Sequence, residues 1–105
     1  MNANLEQKMS KIPEFLRKRG SDIEEILANR EEKYGAYAQV SAVSQMLKKA
    51  MEMGPKWNQL YPHQKESLEM IANKIARIVN GDREYADSWV DISGYAELVV
   101  KELKK

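Results

Sequence analysis

The chain has 105 residues, a net charge of +1 and no cysteine; 43 % of its residues are hydrophobic and 31 % charged. Such a length holds one domain, small enough that association with further copies helps to complete its core, and the composition is that of a folded helical protein rather than a disordered one. The near-zero charge excludes a global field that drives nucleic-acid or membrane binding, the lack of cysteine excludes disulfide and thiolate chemistry, and a single histidine, His63, excludes a multi-histidine metal site.

No apolar run approaches the ~18 residues that mark a membrane span. The opening MNANLEQKMSKIPEF has no apolar core of the kind a secretory leader needs. The expectation is a cytoplasmic protein with no membrane partner.

Residues 1–20 are polar and basic. Ile12, Phe15 and Leu16 can anchor a short helix, and Lys8, Lys11, Arg17, Lys18 and Arg19 form a loose cationic cluster. This segment is expected to be a terminal arm; a phosphate-contacting arm is the competing reading, and nucleic acid is not the expected main partner. A single helical domain then follows over 21–105. Ser21 with Glu24 makes a capping box, so a helix is predicted from here to about Lys33, ending at Tyr34-Gly35 with Gly35 as a left-handed cap.

The second predicted helix covers Ala36 to Met53, with Tyr37, Val40, Val43, Leu47 and Met51 near helical spacing, and Gly54-Pro55 ends it. Trp57, Leu60 and Tyr61 lie in the connector and are expected to plug the end of a bundle. The third helix starts near Pro62 and runs to Val79, with Leu68, Ile71, Ile75 and Ile78 as its core stripe and Asn80-Gly81-Asp82 as its stop. The fourth runs from about Tyr85 to Leu103, with Trp89, Ile92, Ala96, Val99 and Leu103 as its stripe, and Lys101, Lys104 and Lys105 at the negative end of its dipole. No segment alternates at period two. The fold class is all-α: four main helices in a small bundle, completed by homo-oligomerisation as a dimer or larger.

The chemistry concentrates on the last two helices. Glu66 and Glu69 are three residues apart and share a helix face, which continues through Asn73 and Arg77. On the fourth helix Asp87 and Asp91 are four apart and share a face that continues to Tyr95. A short loop makes the two helices antiparallel neighbours, and their register decides whether the acidic segments meet. Mg²⁺ takes hard oxygen ligands and binds through carboxylates plus substrate phosphates; carboxylates from two helices can hold such an ion, while Lys74 and Arg77 neutralise phosphate. The competing reading is a solvated acidic face. His63, in a first helical turn, is read as a surface or capping residue. Trp57 and Trp89 are read as core, with Trp57 the better placed to stack on a base. Gly94, in a helix interior, is read as a point of close packing or substrate passage.

The segments Glu66 to Ile78, Asn80-Gly81-Asp82 and Asp87-Ser88-Trp89-Val90-Asp91-Ile92-Ser93-Gly94-Tyr95-Ala96, with Ile26-Leu27 to Gly35 upstream, resemble a family of small uncharacterised phage and prophage proteins. A looser similarity is to the all-α nucleoside triphosphate pyrophosphatases, the MazG and dimeric dUTPase group, which carry E-x-x-E on one helix and E-x-x-D on the next. Glu66 and Glu69 match the first pair and Asp91 matches the final aspartate. Ser88 stands where that pattern has its second-helix glutamate, and Asp87 is the available substitute. The resemblance implies a Mg²⁺-dependent enzyme that cleaves a nucleoside triphosphate to the monophosphate and pyrophosphate. Glu66 and Glu69 would be its catalytic carboxylates; Glu66, Glu69, Asp87 and Asp91 its metal ligands; and Asn73, Lys74 and Arg77 its nucleotide contacts. The alternative is a non-enzymatic helical protein that binds a host or phage protein, which the serine at position 88 favours.

Overall fold

A computed structural model describes the backbone of residues 14–105 and the side-chain environments of residues 22–105. Four helices follow one another: α1 (Glu14–Tyr34), α2 (Tyr37–Glu52), α3 (Pro62–Asn80) and α4 (Ala86–Leu103), with a 3₁₀ turn at Trp57–Gln59 between α2 and α3. Among the described residues there is no strand, and no helix is long and apolar enough to cross a membrane. The chain divides into two compact units, Met1–Arg30 and Glu31–Lys105.

In the first unit α1 runs straight through Gly20 and Ser21. The helix start expected at Ser21 is therefore not used. Once a helix is nucleated each further residue adds a backbone bond, and one internal glycine costs only about 1 kcal/mol. Ile23, Ile26 and Leu27 are each more than half exposed. Of the basic arm, Lys8 and Lys11 lie outside the described residues, as do the side chains of Arg17, Lys18 and Arg19.

The second unit begins with the last turn of α1. Gly35, at φ +86°, ends that helix as expected, its N–H donating to the Glu31 carbonyl at 2.7 Å. The α1 stop and the α3 stop then meet. The Asp82 N–H donates to the Lys33 carbonyl at 2.6 Å. A Cβ on Gly35 would run into the Asn80 carbonyl, and a Cβ on Gly81 into the backbone of Lys33 and Tyr34. Two bare backbones thus cross where no side chain fits.

Beyond that crossing α2, α3 and α4 form a layer, with α3 packed against α2 on one side and α4 on the other. Gln64 caps the start of α3, its Oε1 accepting from the Tyr61 N–H at 2.9 Å, with Pro62 in the first turn. The buried residues are mostly small: Val40 and Ser44 on α2, Ser67, Ala72, Lys74 and Ala76 on α3, and Ser88 on α4. Small side chains let helices approach closely. The large stripe residues are more open than the periodicity predicts, with Leu68 and Ile75 each 38 % exposed, Trp89 55 % and Leu103 58 %. In a layer each helix buries only the sides that face its neighbours, and whatever points along the layer normal stays uncovered.

Candidate functional site

The middle helix places most of the predicted residues. Glu66 is exposed, while Glu69, Asn73 and Arg77 are half-buried along the same side. Lys74 turns the other way, toward α4, and is buried to 7 % exposure. Its Nζ lies 3.2 Å from Asp91 Oδ2. That pair sets the antiparallel register of α3 and α4.

The register separates the two acidic segments. Glu66 lies eight residues before Lys74, and Asp87 four residues before Asp91. At about 1.5 Å of rise per residue they stand roughly 18 Å apart along the helix axes. The N-terminal half of α3 faces the C-terminal half of α4 instead, so Gln64 and Ser67 line one groove with Ala96 and Val99. Among the described residues no three acidic or histidine side chains come close enough to hold a metal ion. The ligand set expected from Glu66, Glu69, Asp87 and Asp91 together is thus not assembled within the chain, because the tight turn at Gly81 brings adjoining ends of the helices side by side, not their acidic halves. Ser88, where the pyrophosphatase pattern has glutamate, is 4 % exposed against the layer; a carboxylate there would be desolvated.

Asp87 has a different engagement. Its Oδ2 accepts a hydrogen bond from the Tyr85 hydroxyl at 2.7 Å. That bond, with desolvation and the carboxylate charge beside it, pushes the Tyr85 phenol up to about 12. Tyr85 meets Tyr34 edge-on at 5.7 Å between ring centres. The Arg77 guanidinium lies over the Tyr34 ring at 4.6 Å, and Lys33 Nζ over the Tyr85 ring at 4.7 Å. A cluster of two cations, two phenol rings and one carboxylate therefore gathers around the Gly35–Gly81 crossing. Sequence reasoning did not select Lys33 or Tyr85. The available signal was that both residues flank the predicted stops.

The remaining candidates are placed as follows. A Cβ on Gly94 would meet nothing within 4 Å, so the close packing expected there is not within the chain; the glycine faces an open groove of α4 with Asp91 and Tyr95. Trp89 is half exposed, its Nε1 donating to the Arg83 carbonyl at 3.1 Å. Trp57 is half-buried beneath Lys65 Nζ, 5.7 Å from the ring centre. His63 is half-buried, stacks on Tyr61 at 5.7 Å and leaves its Nδ1 without a hydrogen-bond partner.

No curated protein and no solved structure matches the chain. One family model does, and its span takes in the α1 stop, the whole layer and the cation–aromatic cluster. The chain belongs to the DUF6378 family, a domain of unknown function, whose model matches residues 21–103.

Proposed function

We propose that this domain is a Mg²⁺-dependent, pyrophosphatase-like protein acting on nucleoside triphosphates, with the polar side of α3 as its site. The observation that carries the reading is the order of groups along that side: the carboxylates of Glu66 and Glu69, then the Asn73 amide, then the Arg77 guanidinium, with Lys74 turned from them toward α4. Each cation is already held by another helix, Lys74 by Asp91 of α4 and Arg77 by the Tyr34 ring at the end of α1.

The donor chemistry fits the ion. Neither the Lys74–Asp91 nor the Lys105–Glu102 ion pair draws on Glu66 or Glu69, whose carboxylates stand on the polar side of α3. Mg²⁺ binds through one or two carboxylates plus substrate phosphates and keeps several waters. Glu66 and Glu69 therefore suffice, and Asp87 and Asp91 serve to position Tyr85 and Lys74. When bound, the ion polarises phosphoryl oxygens and lowers the pKa of a bound water. Arg77 offers a planar fork for two phosphate oxygens, whereas Lys74, expected as a second phosphate contact, is buried toward α4 on its pair with Asp91 and holds the helix in register. Asn73, between the carboxylates and Arg77, would hydrogen-bond the sugar or a base edge. Water attacks the α-phosphoryl group, the bond to the bridging oxygen breaks, and pyrophosphate leaves with the nucleoside monophosphate as the other product. A phage or prophage origin and a cytoplasmic setting accompany the same resemblance and belong to the proposal.

The test is a thermal-shift titration with Mg²⁺ or Mn²⁺, with and without a non-hydrolysable nucleoside triphosphate, alongside pyrophosphate release from a nucleotide panel. Ligand and metal together should raise the Tm, and Glu69→Gln should abolish that rise without lowering the Tm of the free protein. No shift and no release across the panel would overturn the reading. A second reading, a non-catalytic helical protein that docks on another protein, is favoured by Ile23, Ile26 and Leu27, which share one stripe of α1 and are each more than half exposed. In that case Ile26→Glu abolishes partner binding and Glu69→Gln does not.

A further inference from the structure

Among the described residues of the second unit, one face of the α2–α3–α4 layer is uncovered and its apolar rows carry no charge. Its centre is the α3 ridge of Leu68, Ile71 and Ile75. A groove of about 410 Å³ runs along the α2 side of this ridge, and one of about 310 Å³ along the α4 side; both are bounded by Leu68 and Ile71. Helical spacing extends the face outward through Met46, Ala50 and Met53 on α2 and through Trp89, Ala96, Val100 and Leu103 on α4. Met46 is 71 % exposed and Met53 84 %. No charged residue falls on these three rows, in a chain that is 31 % charged.

We infer that this face is the interface with a second copy of the chain, paired about a two-fold axis near Ile71. The occupant follows from three features. First, an uncharged apolar face asks for a partner surface of the same kind, because a charged one would be desolvated without compensation. Second, the ridge is self-complementary: Leu68 and Ile75 lie at nearly equal distances on either side of Ile71, so an antiparallel α3–α3 crossing sets Leu68 of one copy against Ile75 of the other, as an isologous contact requires. Third, the extent is sufficient. Sixteen residues of helix and three helices at 8–10 Å spacing give roughly 600 Å² in projection, and more in accessible area, against the ~800 Å² per partner of a standard stable interface. The polar side of α3, with Glu66, Asn73 and Arg77, faces away from this interface, so the inference stands whether or not the domain hydrolyses nucleotides.

The test is sedimentation or light scattering of the full chain across a concentration series. A dimer is expected, with Ile75→Glu converting it to a monomer and Asn73→Lys, on the opposite side, leaving it intact. A control on the unaltered protein covers a variant that fails to fold: peroxide oxidation of Met46 and Met53, mapped by peptide mass, should be slow when concentrated and several-fold faster on dilution into monomer. A wild-type chain that stays monomeric at ~100 μM, where a μM-class interface is fully formed, overturns the inference. So does a dimer in which both methionines oxidise at the rate of the monomer.

Discussion

Lys74 on α3 and Asp91 on α4 form an ion pair at 3.2 Å in which the lysine side chain is 9 % exposed and the aspartate 47 %. The unequal burial dictates unequal consequences. Removing the carboxylate strands a buried ammonium, whereas removing the ammonium leaves a carboxylate that water still reaches. Asp91→Ala should cost about 1–3 kcal/mol, less than a fully buried pair because half of the aspartate is already solvated. Lys74→Met should cost less, and the double variant should recover most of the Asp91→Ala loss. Urea unfolding of the four proteins checks this; equal losses for the two single variants would show that the lysine is solvated in the folded state.

The glycines separate into two classes with opposite signs. Gly35→Ala meets the Asn80 carbonyl at a φ of +86°, and should cost at least about 2 kcal/mol through left-handed strain and collision together. Gly94→Ala adds a methyl to open space within a helix, and should stabilise by about 0.5–1 kcal/mol. Thermal unfolding reads both. A destabilising Gly94→Ala would mean that another chain or ligand approaches that face.

Tyr85 gives the pH dependence. Its folded value of about 12 lies above the ordinary 10, with the hydrogen bond to Asp87 as the largest cause. A raised phenol means that the folded state favours the protonated form, so this contribution to stability is complete below pH 10 and is lost as the pH rises toward about 12. Asp87→Asn should return the midpoint toward 10. The chain has five tyrosines, so the titration is best followed by NMR of the Tyr85 ring. An unmoved midpoint would assign the shift to desolvation instead.

Ser88→Glu tests why the pyrophosphatase pattern is broken at that position. Ser88 is 4 % exposed, and a carboxylate there is buried without a partner, at a cost of about 2 kcal/mol or more. A loss of Tm with no gain in Mg²⁺ stabilisation is expected. A variant that folds normally and binds the ion more tightly would show that α4 can turn position 88 toward the site.

The sequence by itself determined the helices of the layer and their stops. The bounds of α2, α3 and α4 fall within a residue or so of those the periodicity predicts, because proline, glycine and capping signals act over one turn of chain. Gly35 was legible for the same reason, since a left-handed cap is a local requirement. Only the tertiary structure decided which side of each helix is covered. A period of 3.6 marks Leu68, Ile75 and Trp89 as apolar but not whether a neighbour sits above them. It decided the register as well. Glu66, Glu69, Asp87 and Asp91 are four acids in the sequence, yet the short turn at Gly81 pairs Asp91 with Lys74 and leaves Glu66 a dozen residues of helix away from Asp87. The Lys33–Tyr85 and Arg77–Tyr34 stackings needed the crossing of two glycine stops more than forty residues apart, and spacing along one chain carries no record of such a meeting.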